Sequence, residues 1–208
     1  MAIAFDAVVS ATANFLTWSH TCSGSNRILF VHVINVDVNV PSACTYGGVS
    51  MTKLTDNGTT QSVFYLINPA TGSNTVAVTS ASSNCFCQSI SYNNALQTGQ
   101  PDSSAKSNSS SPPQVVATTV VNSNCWLIAF GYAWNPQTGL TTGQTFRSSG
   151  APPYGGYAVI TDSNGSVSTG SNSITFTPSG GSTWVYGYLV SISPALIVNS
   201  GGDFFAFF

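Results

Sequence analysis

The stretch Asn26-Arg-Ile-Leu-Phe-Val-His-Val-Ile-Asn-Val-Asp37 decides how this chain reads. Six of the seven residues from Ile28 to Ile34 are apolar, and neither Gly nor Pro interrupts them. Val, Ile and Phe suit a pleated surface better than a helix. A run of this length, apolar but for His32, predicts a central strand covered on both faces at its start. From Ile34 onward apolar and polar residues alternate, so one face is expected to emerge into water there.

Working outward, the chain reads as short β runs separated by turns. Ile3 to Phe5 and Asn14 to Ser19 precede the central strand, with a turn over Thr21 to Ser25. Val49 to Leu54, Ser62 to Ile67, Asn74 to Thr79 and Cys85 to Tyr92 follow it. The breaks between them are Gly47-Gly48, Asp56-Asn57-Gly58 and Asn68-Pro69, all strong turn formers. Gln97 to Pro113 is rich in Ser and Pro and reads as a long exposed loop. Gln114 to Val121 and Asn124 to Trp134 resume the β pattern, and Asn135 to Pro153 is again turn-rich. Tyr157 to Thr161, Ser173 to Thr177 and Thr183 to Ser193 close the series. Many short strands with no helical period predict an all-β fold, a single antiparallel β-sandwich of jelly-roll-like type with long polar loops. No internal repeat stands out. The sandwich is expected to occupy residues 1–195, with an aromatic arm over 196–208.

Composition narrows the function. Only 5% of the 208 residues are charged, with four basic side chains, six Asp and no Glu. An average soluble protein carries roughly 25%. Phosphate binding needs a basic stripe, so nucleic acid is not an expected partner. A surface with so little charge repels its own copies weakly, which favours association. No apolar run reaches the roughly 18 residues of a membrane helix. The N-terminus has neither a basic segment nor a long apolar core, so no secretory signal is read and synthesis in a cytoplasm is expected.

Chemistry-bearing residues are sparse. The five cysteines (Cys22, Cys44, Cys85, Cys87, Cys125) are an odd number and read as small buried hydrophobes rather than a disulfide framework. His20 and His32 show no metal-ligand spacing and read as packed, hydrogen-bonded groups. A Ser-His-Asp site is formally open, but no Gly-x-Ser-x-Gly elbow supports it. Asp162-Ser-Asn164-Gly-Ser166 begins like a calcium loop and lacks the acidic residue that would complete it. Three Asn-x-Ser/Thr sequons (Asn57, Asn108, Asn164) fall in turn-rich or loop-like stretches and mark polar surface. No catalytic residue, metal site or cofactor is therefore expected. Trp134, Tyr154 and Tyr157 lie near Pro and Gly pairs and form a candidate glycan-stacking or interface set. The tail ends in Phe204, Phe205, Ala, Phe207 and Phe208, whose rings are costly to leave in water. They are expected either to fold back onto their own sandwich or to form the candidate partner-docking arm, seated on a neighbouring subunit or larger assembly.

Several pieces also resemble a β-sandwich family of bacteriophage virion proteins and some bacterial surface proteins. They are Leu16-Thr-Trp-Ser-His-Thr-Cys-Ser-Gly-Ser-Asn-Arg27, Thr45-Tyr-Gly-Gly-Val-Ser-Met-Thr52 and Tyr65-Leu-Ile-Asn-Pro-Ala-Thr-Gly-Ser-Asn-Thr-Val76, with the closing strand Trp184 to Pro194. The resemblance implies a structural or adhesive module without catalytic residues. The function expected is a non-enzymatic virion protein, a capsid decoration (cement) or tail-associated subunit. Its partners would be further copies of itself, with a trimer as the expected assembly, and virion proteins such as the major capsid protein. The competing reading is a carbohydrate-binding adhesion or receptor-binding module recognising a surface glycan.

Overall fold

The computed structural model describes residues 1–11, 16–37, 39–82, 84–139, 143–151, 155–180 and 184–196. Among them all regular structure is β, and every ladder is antiparallel. The expected all-β sandwich class is what the chain adopts. The first half holds β1 (Ala4–Ala11), β2 (Thr17–Cys22), β3 (Ile28–Asn35), β4 (Ala43–Tyr46), β5 (Val49–Ser50), β6 (Thr52–Lys53), β7 (Gln61–Ile67), β8 (Gly72–Thr79) and β9 (Cys85–Asn93). The second holds β10 (Ser103–Ser109), β11 (Gln114–Val120), β12 (Trp126–Ala133), β13 (Gln137–Gly139), β14 (Thr145–Gly150), β15 (Tyr157–Asp162), β16 (Gly170–Pro178) and β17 (Val185–Ile192).

The two halves share one topology. Five-stranded sheets run β1-β9-β3-β7-β6 and β10-β17-β12-β15-β14, and smaller sheets run β2-β8-β4-β5 and β11-β16-β13. Each strand of the second half takes the position of its counterpart in the first. Register agrees as well: Ile28 pairs Tyr92 and Phe30 pairs Ile90 in the first half, as Trp126 pairs Ile192 and Ile128 pairs Val190 in the second. Thr71-Gly72-Ser73-Asn74 opens β8, and Thr169-Gly170-Ser171-Asn172 opens β16. The absence of an internal repeat, expected from sequence, is thus corrected. Divergent apolar residues satisfy the same burial pattern, so the duplication survives in topology and in short turn motifs more than in identity.

The cores show how the sheets stack. Leu29, Val31 and Val33 on one face of β3 pack with Cys44, Tyr46, Val76 and Val78 of the smaller first sheet. Ile28 and Phe30 on the other face pack with Ile128, Phe130, Ile160 and Tyr188 of the second half. Leu127, Ala129 and Leu189 then face Val116, Ile174 and Phe176. The molecule is therefore four sheets deep, with the two large sheets in the middle. β3 is buried along its whole length because both faces are covered, as its continuous apolar run implies. After the last strand of each repeat, equivalent segments pair antiparallel with one another. Ala95 bridges Pro194, Ala195 N donates to Asn94 O (2.7 Å) and Leu96 N donates to Ser193 O (2.8 Å). That arrangement is the signature of a local two-fold axis.

Two loops expected from sequence contain strands. Within 97–113, Ser103–Ser109 forms β10 on the edge of the second large sheet and pairs with β17 along its length. Its sequence Ser-Ser-Ala-Lys-Ser-Asn-Ser has a single apolar residue, so hydrophobic alternation could not reveal it. Within 135–153, β13 and β14 form edge strands for the same reason.

Candidate functional site

Both histidines are locked inside the sandwich. His20, 1% exposed, points from β2 toward β9, with Nδ1 2.8 Å from Ser89 Oγ and Nε2 3.0 Å from Ser91 Oγ. Trp18 Nε1 donates to Ser89 (2.9 Å), and Ser91 Oγ donates to Asp6 (2.7 Å). One directional chain satisfies every member: Trp18 to Ser89, Ser89 to His20 Nδ1, His20 Nε2–H to Ser91, and Ser91 to Asp6. Asp, Ser and His thus do come together, a grouping the sequence did not disclose. Their order is wrong for nucleophile activation, because a serine stands between the imidazole and the carboxylate. Burial lowers the His20 pKa to about 4, against the opposing influence of the Asp6 charge.

His32 lies in the seam between the repeats. Gln61 Nε2 stands 2.9 Å from its Nε2, and its Nδ1 is 3.3 Å from Gln88 Oε1. Gln61 also donates to Phe130 O (3.1 Å), while Asn57 Nδ2 donates to Gln61 Oε1 (3.1 Å) and to Gly187 O (3.1 Å). Burial drives the His32 pKa down to about 3, with the Gln88 bond opposing it. A neutral ring with satisfied neighbours is a structural part.

The remaining polar candidates are also committed. Asp162 receives a bidentate Arg147 (2.7 and 3.0 Å) and the Tyr92 hydroxyl (2.8 Å), so it holds the repeats together rather than a cation. All five cysteines are free and buried, and burial pushes Cys44 up to about 12. Among the described residues no group of three or more His, Cys, Asp or Glu is placed to hold a metal.

The aromatic candidates divide. Tyr154 and Phe204, Phe205, Phe207 and Phe208 lie outside the described residues. Trp134 (45% exposed) and Tyr157 (37%) are described but are not brought together. Tyr157 pairs with Ala133, so it shares Ala133's face of the sheet, opposite to Trp134. Trp134 instead ends a four-ring ladder: Trp134–Tyr132 (6.2 Å between centroids), Tyr132–Tyr186 (6.1 Å) and Tyr186–Trp184 (6.2 Å, planes 23° apart). Tyr132 and Tyr186 are directly opposed across β12 and β17, and the two tryptophans flank that pair. No family model, curated protein or solved structure matches this chain. Trp184, Tyr186 and Tyr132 were missed in the sequence. Their signal was there, as Tyr-x-Trp ends one strand and Trp-x-Tyr begins another, and antiparallel pairing lays the two side by side.

Two glycines beside the ladder keep it open. Gly155 and Gly156 have φ of 99° and 92°, a conformation other residues rarely adopt. A Cβ on Gly155 would sit 3.3 Å from the Trp134 ring, and one on Gly156 would stand 2.7 Å from the Tyr132 hydroxyl. The rings fit against bare backbone.

Proposed function

We propose that this chain is a non-enzymatic structural protein of a bacteriophage virion, a capsid decoration (cement) or tail-associated subunit that works by protein–protein assembly. The observation that carries the reading is the treatment of charge. All four basic side chains and all five Asp among the described residues are tied up within the molecule. Arg27 donates to Pro69 O, Gly24 O and Asn68. Lys53 pairs with Asp56 (2.7 Å), Arg147 with Asp162, and Lys106 reaches Asp56 O. Asp6 and Asp102 accept from serines, and Asp37 from Ser82 and Asn84. Apart from these internally bonded charges, of which Asp37 and Lys106 stay exposed, the outer surface offers hydroxyls, amides and isolated apolar groups such as Val49, Val115, Val121 and Leu196. Such a surface packs against copies of itself and other shell proteins at low electrostatic cost. The resemblance of its turn motifs to virion sandwich proteins points the same way. Residues 196–208, with Phe204, Phe205, Phe207 and Phe208, would supply the docking contact by burying their rings on a neighbour.

Solution mass tests the reading. Light scattering on the full chain should give a defined oligomer, and on a chain ending at Ala195 a folded monomer. Monomers of equal thermal stability in both cases would remove the arm as an assembly device and the reading with it.

A further inference from the structure

The duplication supplies an internal control, because wherever the repeats differ at equivalent positions something besides the fold set the difference. The ladder is such a place. Tyr132 and Tyr186 pair across β12 and β17 as Ile34 and Phe86 pair across β3 and β9. One step further out, Trp134 and Trp184 stand where the first repeat has Val36 and Asn84. The fold closes that end of a large sheet with a Val and an Asn in one repeat, so two half-exposed tryptophans are not needed to close it in the other.

We propose that the Trp134–Tyr132–Tyr186–Trp184 ladder is a stacking site for a neutral saccharide. Both tryptophans expose nearly half of their surface, at 45% and 44%. Together that is about 200 Å² of ring surface. A stable protein partner needs about 800 Å² on each side, so the exposed ring area matches a ligand of one or two sugar rings far better than a second protein. The underlying tyrosines pack against Ile34 and Phe86 of the first repeat, which holds the platform rigid before any ligand arrives. A polar neighbour suits hydroxyl groups. Asn108, exposed on the edge strand, pairs with Tyr186 and so lies on the same face, and its Nδ2 donates to Asn57 Oδ1 (2.9 Å). An amide both donates and accepts, as sugar hydroxyls require, and Lys106, two residues along the same strand face, is turned to Asp56 O. The C–H face of a pyranose lies on the rings while its hydroxyls meet the Asn108 amide. This inference stands apart from the assembly reading, since a particle protein and a free module could each use the site.

The test is affinity electrophoresis of the full chain through gels containing dextran, yeast mannan, a mixed-linkage β-glucan or galactomannan. Titration of tryptophan fluorescence with cellohexaose, maltohexaose and chitohexaose accompanies it. At least one of these should retard migration or shift the emission. Trp184→Ala and Trp134→Ala should each weaken that binding tenfold or more, and Tyr157→Ala, on the other face, should leave it unchanged. Failure of every polysaccharide and oligosaccharide to bind, or equal binding by Trp184→Ala, overturns the proposal. So does a fall in oligomer mass in the Trp134→Ala/Trp184→Ala double variant without a sugar effect, which would make the ladder a subunit contact. Thermal melts of each variant separate loss of the platform from loss of the fold.

Discussion

Gly131 and Gly187 lie directly opposite each other across the β12–β17 ladder, and the ring of Phe176 covers both. A Cβ on Gly187 would stand 2.6 Å from Phe176 Cε2 and 2.7 Å from Val116 Cγ2. Neither glycine has a positive φ, so the demand is for space and not for an unusual backbone. Gly187→Ala should therefore cost about 1–3 kcal/mol by overpacking, read as a lower urea midpoint. Combined with Phe176→Leu, the loss should be smaller than the sum of the two single changes. Strict additivity would mean that the ring is not what excludes the methyl group.

The buried histidines make stability depend on pH. Their folded pKa values, about 4 for His20 and about 3 for His32, lie below the ordinary 6.5 because burial disfavours the charged ring. Unfolding then takes up protons, so this contribution is fully present above about pH 6.5 and fades as pH falls toward 4 and 3. Across pH 6 to 4.5 each histidine should add up to about 1.4 kcal/mol per pH unit to the slope of unfolding free energy. His20→Gln should remove one histidine's share. An unchanged slope in chemical denaturation across that range would show that His20 is protonated in the fold.

Arg147 joins the repeats from two directions. It grips Asp162 beside the Tyr92 hydroxyl, and its guanidinium stands 4.3 Å from the Phe5 ring centroid. Arg147→Met should cost about 3–5 kcal/mol, since it strands a carboxylate that is fully buried. Adding Asp162→Asn should recover part of that loss. Calorimetry of the two variants decides the point, and a double variant no better than Arg147→Met would refute the uncompensated-charge explanation.

Asp6 and Asp102 do the same work in the two repeats. Ser23 N and Ser91 Oγ donate to Asp6 (2.9 and 2.7 Å), and Val121 N and Ser191 Oγ donate to Asp102 (3.0 and 3.2 Å). Burial alone would raise the Asp102 carboxyl, but the donors from Val121, Asn122, Ser193 and Ser191 together hold it below the usual value. Its stabilisation is thus present above the unfolded carboxylate pKa and lost as pH falls through the lowered folded one. Asp102→Asn should cost about 1–2 kcal/mol at pH 7 and much less in strong acid. A melting-temperature deficit that stays constant from pH 7 to pH 2 would argue against a charged acceptor.

The sequence disclosed these features unequally. β3 and β12 were legible because strands covered on both faces must be apolar throughout. β10 was not, because the β17 backbone defines it and its Ser, Lys and Asn side chains carry no hydrophobic signal. The repeat hid behind exchanges such as His32 for Phe130 and Ile34 for Tyr132, which preserve burial and discard identity. The matched Thr-Gly-Ser-Asn turns kept a visible trace, because a positive φ at Gly72 and Gly170 tolerates little else, and so did Ser25-Asn26 and Ser123-Asn124, where both Asn have positive φ. The aromatic ladder needed strand register. Trp134 was singled out for its place near Pro and Gly pairs, yet Tyr186 and Trp184, which complete the ladder, come from a strand about fifty residues away and were revealed only by pairing.

The two-fold seam at Ala95 and Pro194 has a consequence for dilution. Two separate chains meeting through such a face would part as their concentration fell. Here both halves travel on one polypeptide, and each sees the other at a fixed local concentration, of millimolar order for a short connection. Folding and pairing become a single event, and the paired state is as secure in one isolated molecule as in a crowded cell.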